Sequence, residues 1–201
     1  LMVRRVNPNG TLVVANLGGL APFYCENANV RVYARGGRQF TGVMRRSNPS
    51  THLMSEEERK ALPDYDKNLF VLLDEAVTTK AETEALGIRC GDCVALDPCY
   101  VETPSGYIKS RFLDDKASCA ILLTLAKAVA DGTIRLSRRV ALLFTEYEEI
   151  GHGGANLPDG IRDLVAVDIG CVGPDHDSDE HKVTICAKVA CSPYHTDLFS
   201  E

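Results

Sequence analysis

The spacing of apolar residues changes near residue 108, and this change most narrows the folds that the chain can adopt. Before it, short runs with alternating apolar residues are separated by turn residues, such as the NPNG of residues 7–10. Such alternation is typical of half-buried antiparallel strands. We therefore expect residues 1–108 to form a small, mostly antiparallel barrel or sandwich from the runs LMVRRV, TLVVANL, NVRVYAR, QFTGVMRR, NLFVLLDE and CVALDPCYVET.

From about residue 109 onward, the pattern is that of an α/β domain. The segment DDKASCAILLTLAKAVADG predicts a long helix that stops at Gly132. The runs VALLFT and LVAVDIG are continuously apolar, as are strands that are buried on both faces of a parallel sheet. We expect residues 109–201 to follow the doubly wound α/β arrangement, with a helical apolar face made of Ala117, Ala120, Ile121, Leu125 and Ala128.

Shorter signals refine the first half of the chain. TTKAETEALG predicts a short helix, because Thr79 and Glu82 have the spacing of a capping box and Gly87 suits the residue after a helix. The charged segment THLMSEEERKALPDYDK predicts an exposed loop with a helical turn. Cys90 and Cys93 have the spacing of a zinc knuckle or a redox pair, but no second pair or nearby histidine accompanies them. We interpret CGDC as the turn that enters a strand.

Composition and charge restrict the partners. Of the 201 residues, 45% are hydrophobic and 25% are charged, values that are ordinary for a folded globular protein. The formal net charge of −6 gives no electrostatic reason to bind nucleic acid or an anionic membrane. The sequence shows neither a membrane-spanning apolar run nor the pattern of a signal peptide. We expect a cytoplasmic protein that acts on peptides or small molecules.

Acidic residues stand at three junctions of the second half. Asp114 and Asp115 precede the long helix, Glu148 and Glu149 follow the run VALLFT, and Asp168 ends LVAVD. Each has a structural alternative, since an Asp can cap a helix and paired Glu residues are common in exposed loops. The carboxyl ends of parallel strands lie at one edge of a sheet, so the three junctions are expected to converge there.

Converging carboxylates would repel one another, and a divalent metal would remove this cost. A two-metal hydrolase needs a carboxylate that bridges the ions, further ligands on each ion and a general base for the water between them. Glu148 and Glu149 suit the last two roles, because consecutive side chains diverge and can reach different partners.

The residues around these junctions resemble a known family. RFLDDKAS, FTEYEEIGHGGA and LVAVDIG are similar to the signature blocks of the glutamyl aminopeptidase and tetrahedral aminopeptidase family, and NLFVLLDEAVTTKAETEALGIRCGDCV is similar to the end of that family's β-rich insertion domain. The resemblance covers nearly the whole chain. It implies a barrel-like insertion domain over residues 1–108 and an incomplete doubly wound metallopeptidase catalytic domain over residues 109–201.

The resemblance also implies roles for individual residues. Asp114 would bridge two divalent ions, zinc or cobalt, Glu149 would bind one of them and Asp168 the other. Glu148 would be the general base that takes a proton from the attacking water and later gives it to the leaving amine. The implied enzyme is an aminopeptidase that acts on peptides and assembles as a large homo-oligomer.

The family's two histidine ligands have no matching positions here, so we expect a fragment with little or no peptidase activity of its own. His195 and Asp197 spell the family's His-x-Asp motif, but they align with a stretch that holds no ligand. Two smaller departures are Ser118 and Gly153, where the family usually has Gly and a larger, often basic residue. The first could crowd the helix, and the second could alter the substrate pocket or the local turn.

Two other classes of function stay open on the sequence. A related two-metal amide hydrolase, such as a deacylase, would use the same carboxylates on another substrate. A non-catalytic oligomerisation or binding protein could keep the fold without a working site, although the retention of Asp114, Glu148, Glu149 and Asp168 argues against this.

Overall fold

A computed structural model of the chain describes residues 1–154, 156–176 and 178–185. The backbone divides into two compact units. The first comprises residues 1–111 and 143–160, and the second comprises residues 112–142 and the described residues from 161 onward. His195 and Asp197 lie outside the described residues.

A closed six-stranded antiparallel barrel forms the centre of the first unit. Its strands follow one another around the barrel in the order β1, β2, β5, β4, β3, β6, and the pairing of β1 with β6 closes it. The closed barrel confirms the predicted β architecture of the first half and decides between barrel and sandwich. The strand bounds are β1 Met2–Val6, β2 Leu12–Ala15, β3 Asn29–Tyr33, β4 Gln39–Arg46, β5 Leu69–Leu73 and β6 Cys93–Leu96.

The barrel interior is filled by the apolar side chains that alternate along its strands. The fully buried ones include Val3, Leu12, Val14, Val32, Met44, Leu69, Val71 and Val94. Since alternate side chains of a strand point to opposite faces, this alternation fixes which face of each strand is buried. Gly42 lies in β4 where a Cβ atom would meet the backbone of Leu72 in β5, so the close approach of these strands needs a glycine.

Short helices and turns connect the strands. Helix α1 (Glu56–Lys60) and helix α2 (Lys80–Ala85) each begin with a complete capping box, so the predicted helix in TTKAETEALG is present. A 3₁₀ turn covers Pro22–Tyr24, and a two-stranded hairpin follows the barrel as β7 (Val101–Glu102) and β8 (Ile108–Lys109). The run CVALDPCYVET therefore forms two strands, not one.

The CGDC segment is a turn, as predicted. The backbone N–H of Asp92 donates to the carbonyl oxygen of Arg89 at 3.2 Å, and Gly91 has a φ of 90°, which favours glycine. The buried carboxylate of Asp92 accepts a hydrogen bond of 2.8 Å from the backbone N–H of Arg89. These bonds stabilise the turn that enters β6.

The second unit contains the long helix α3 (Leu113–Ala130). Its existence agrees with the prediction, but its predicted apolar face is wrong in part. Ile121 is 63% exposed, whereas Ser118 is buried at 4% exposure. The buried side of the helix is centred on Ser118. The positions of the apolar residues alone therefore did not predict which face of the helix packs.

The predicted strands VALLFT and LVAVDIG, residues 140–145 and 164–170, do not pair in any sheet of the described residues. Their large apolar side chains are exposed, among them Val140, Phe144, Leu164 and Val165. An extended segment is a strand only when neighbours satisfy its backbone hydrogen bonds, and these segments have no such neighbours here. The doubly wound catalytic domain and the domain ranges 1–108 and 109–201 therefore stay predictions. Among the described residues, every helix is too short or too polar to cross a membrane.

Candidate metal centre

Three aspartates of the second unit form an acidic cluster. Asp114, Asp115 and Asp168 each present a carboxylate oxygen, and these oxygens lie within 4.8 Å of one another. Asp114 and Asp115 come from the first turn of α3, and Asp168 comes from the apolar segment 164–170. The structure thus brings together two residues that the sequence predicted as metal ligands, Asp114 and Asp168.

The backbone at the start of α3 explains why two consecutive aspartates can point to one place. Phe112, which precedes the helix, has a left-handed φ of 63°, and its side chain makes no capping hydrogen bond. Asp114 and Asp115 have non-helical backbone angles. The helix that is regular in φ and ψ therefore begins after Asp115.

The cluster is electrostatically unfavourable without a cation. Burial, the Asp168 carboxylate and the Asp115 carboxylate, in that order of size, raise the pKa of Asp114 above its ordinary value. The Oδ1 atom of Asp115 is buried without a hydrogen-bond partner. A buried carboxylate oxygen that lacks a donor is costly. A divalent cation would satisfy this oxygen and remove the repulsion, so the residues present fit a metal ion.

Asp115 is the third member of the cluster. The resemblance implied only an indirect or structural role for it. Its position beside Asp114 looked like ordinary helix capping, and only the non-helical backbone turns its carboxylate towards Asp114 and Asp168. Asp168 is held in part by its own chain, because its Oδ1 accepts a hydrogen bond of 2.7 Å from the backbone N–H of Ile169.

Glu148 and Glu149 belong to the first unit. They lie on a 3₁₀ turn, Glu148–Ile150, between Tyr147 and Gly151, which both have left-handed backbone angles. The N–H of Gly151 donates to the carbonyl oxygen of Glu148 at 2.8 Å and stabilises the turn. Their convergence with the aspartate cluster stays a prediction.

Gly153 follows this turn and shapes it. Its φ is 97°, and a Cβ atom there would collide with the carbonyl oxygen of Glu146. A larger residue would be strained at this position whatever the surrounding space. The local turn therefore requires a glycine at position 153. The nearby His152 is exposed, and its backbone N–H donates to the carbonyl oxygen of Tyr147 at 3.0 Å.

The second unit contains a groove, and its lining includes Ile169, the residue after Asp168 in the sequence. It has a volume of about 440 Å³ and is lined by residues 169–171 and 182–185 together with His176 and Ser178. The lining includes an imidazole, two hydroxyl groups and an amino group.

Comparisons with known proteins agree with the residues that carry the resemblance. The profile of the M42 glutamyl aminopeptidase family matches residues 1–201. The protein YhfE of Bacillus subtilis strain 168 is 36% identical over 198 residues, which cover 98% of this chain and 57% of YhfE. The lysyl aminopeptidase of Pyrococcus furiosus is 23% identical over 158 residues, which cover 78% of this chain and 43% of that enzyme.

Solved structures show the same fold. Aminopeptidase APDkam598 from Desulfurococcus kamchatkensis has a TM-score of 0.54 at 25% identity, with 63% of this chain and 32% of that chain covered. The TET1 peptidase of Pyrococcus horikoshii, described as able to assemble into a tetrahedron or a large octahedral shell, has a TM-score of 0.54 at 21% identity, with 65% and 37% covered.

The extent of these matches sets what they establish. The chain spans about half the length of the curated relatives that it matches, so they are informative about these 201 residues and not about a whole enzyme. The family profile, by contrast, extends from the first residue to the last. On this match, the chain belongs to the M42 glutamyl aminopeptidase family.

Proposed function

We propose that the full-length protein is a metal-dependent aminopeptidase and that this chain supplies the carboxylate half of a two-metal centre. Asp114 would be the ligand shared by two divalent ions, and Glu149 would be a ligand of one and Asp168 of the other. Glu148 is the general base. One observation carries the proposal. Carboxylate oxygens of Asp114 and Asp168 lie within 4.8 Å of each other, although the two residues are more than 50 positions apart in the sequence.

The aspartates supply the negative charge and Glu148 supplies the proton transfer. Zinc or cobalt bound here would polarise the scissile carbonyl and lower the pKa of water. The carboxylate of Glu148 takes a proton from the attacking water and delivers it to the leaving amine, a role that contributes about 10²- to 10⁴-fold to the rates of enzymes. Asp115 adds a third carboxylate to the cluster, and its buried Oδ1 has no hydrogen-bond partner.

Peptides with a free N-terminus are the proposed substrates. The family and the relatives named as aminopeptidases support an exopeptidase over a deacylase or a non-catalytic binding protein. The same carboxylates could serve another amide, so the choice rests on the family and not on the cluster. A panel of aminoacyl-anilides and N-acyl amino acids, offered to the full-length protein, separates these alternatives.

Replacement of Glu148 by Gln tests the general base. We expect Glu148→Gln to lower kcat about 10²- to 10⁴-fold while the bound metal stays nearly unchanged, since Gln cannot accept the proton. Turnover of an aminoacyl-anilide and metal content by elemental analysis are the two measurements. Glu146→Gln is the matched control, because Glu146 is an exposed acid two residues earlier. Loss of metal together with activity would show that Glu148 is a ligand.

The full-length protein is also proposed to be a cytoplasmic homo-oligomer. The assembly described for the Pyrococcus horikoshii TET1 peptidase, whose fold this chain shares, supports the oligomer. We expect light scattering after size exclusion to give a mass of several subunits. A monomer at micromolar concentration would contradict the assembly, without bearing on the metal centre.

A further inference from the structure

Lys116 follows the two aspartates of α3 directly in the sequence, yet its charge is not used to neutralise them. In the part of the chain that the structure describes, the Lys116 ammonium makes no ion pair with Asp114, Asp115 or Asp168. The charges that act on the pKa of Asp114 are those of Asp168 and Asp115, and both raise it. A cation this near in the sequence would relieve that repulsion if it lay among the carboxylates.

The ammonium of Lys116 lies instead over the ring of Phe112. Its Nζ atom is 5.6 Å from the ring centroid, within the range of a cation–π interaction. Side chains of a helix lean towards its N-terminus, and Phe112 is the residue that precedes α3. The Phe112 ring is half-buried, whereas Lys116 is exposed. The ring therefore holds the flexible lysine side chain at the N-terminal side of the helix.

The position of this one charge decides how much of the charge of the cluster is left for a cation. An ammonium among the three carboxylates would offset one of them, and a divalent ion would have to displace it. An exposed ammonium–carboxylate pair is worth little. A cation–π contact at an exposed site has a similar value, enough to shift the equilibrium between the two positions about 2- to 5-fold. The ring can therefore tip the balance.

We propose that the Phe112 ring keeps the Lys116 ammonium out of the acidic cluster and so leaves the three carboxylates available to divalent ions. The inference rests on the proposed function, in which the cluster binds metal. Phe112 is a positioning residue that acts through Lys116. Its influence on metal binding should therefore disappear when residue 116 carries no charge.

Zinc titration of ring and charge variants tests this in the full-length protein. Phe112→Leu removes the ring and keeps an apolar side chain. We expect it to weaken zinc binding about 2- to 5-fold, because the released ammonium then competes for the carboxylates. Phe112→Tyr keeps a ring and should bind zinc like the wild type. In a Lys116→Gln background, Phe112→Leu should change the affinity no further.

Lys127→Gln provides the matched charge control. Lys127 is near the other end of α3 and pairs with Asp131, so Phe112→Leu should show its full effect in that background. Isothermal titration gives each affinity. Unchanged affinity in Phe112→Leu would overturn the proposal. An equal loss with and without Lys116 would also overturn it, since Phe112 would then act on the shape of the cluster and not through the lysine.

A second measurement uses the wild-type protein and does not depend on the folding of Phe112→Leu. Reductive methylation with ¹³C-formaldehyde labels lysine amines and keeps their charge. Methyl groups over the face of a ring are shielded, so the signal of Lys116 should lie upfield and stay there when zinc is added. Lys116→Arg assigns the signal. An unshielded signal with zinc bound refutes the inference alone, whereas a wild-type protein that binds neither zinc nor cobalt refutes the proposed function as well.

Discussion

At the scale of single residues, the buried Oδ1 atom of Asp115 carries a testable consequence. We expect Asp115→Asn to weaken divalent-metal binding by about 10- to 100-fold, the range found for groups that support metal ligands. Without metal, the same change should raise thermal stability, because one of the charges that repel Asp114 is lost. Isothermal titration with zinc and thermal unfolding in chelator measure the two effects.

Asp131→Asn is the control for this prediction. Asp131 ends the same helix, is exposed and pairs with Lys127, so its neutralisation removes a surface ion pair of small value. If Asp115→Asn and Asp131→Asn left metal affinity equally unchanged, Asp115 would be outside the centre. The opposite signs expected for affinity and for metal-free stability distinguish a charge effect from simple damage to the fold.

The sequence predicted two members of the cluster as metal ligands. Asp114 and Asp168 stand next to a helix and an apolar run, and the resemblance assigns both to a metal site. The place of Asp115 in the cluster could not be predicted, because it depends on the non-helical backbone of Asp114 and Asp115, which directs both carboxylates to Asp168. The place of Glu148 and Glu149 depends on how distant segments pack, which local patterns do not encode.

At the scale of the element, the capping box of α2 makes stability depend on pH. The backbone N–H groups of Thr78 and Thr79 donate to the Glu82 carboxylate at 2.7 and 3.0 Å. The bond from Thr78 is the largest cause that lowers the pKa of Glu82 below its ordinary value of 4.5. The stabilisation is therefore complete above pH 4.5 and is lost as the pH falls through the lowered pKa.

Glu82→Gln tests this element. The variant should be less stable than the wild type at pH 7, and the difference should shrink below pH 4.5, where the wild-type carboxylate takes up its proton. Urea unfolding followed by circular dichroism across this pH range gives the comparison. Glu57→Gln removes an exposed charge in the first turn of α1 and serves as the control. A difference that grows on acidification would contradict the role of the ionised Glu82.

Elements with local signals were predictable, and elements that depend on distant partners were not. The capping box at Thr79 and Glu82 and the alternation in the barrel strands are local patterns. A continuous apolar run such as residues 164–170 shows that a segment avoids water but not which neighbours pair with it. The structure accordingly confirms the barrel and α3 but shows no sheet around that run in the described residues.

At the scale of the whole molecule, the two units differ in how far they bury their apolar residues. The barrel has a fully buried core, whereas Leu164, Val165 and Val183 of the second unit are 64%, 52% and 90% exposed. The buried barrel core therefore accounts for the stability of the first unit.

Diffraction from crystals of the full-length protein at the zinc or cobalt absorption edge tests the two-metal centre most directly. We expect two anomalous peaks about 3.5 to 4 Å apart, a spacing typical of two-metal hydrolases, with Asp114 between them. Glu149 should contact one peak, Asp168 the other, and Glu148 should face the space between them. Metal peaks away from Asp114 and Asp168, or an occupied centre with Glu148 and Glu149 remote from it, would contradict the account.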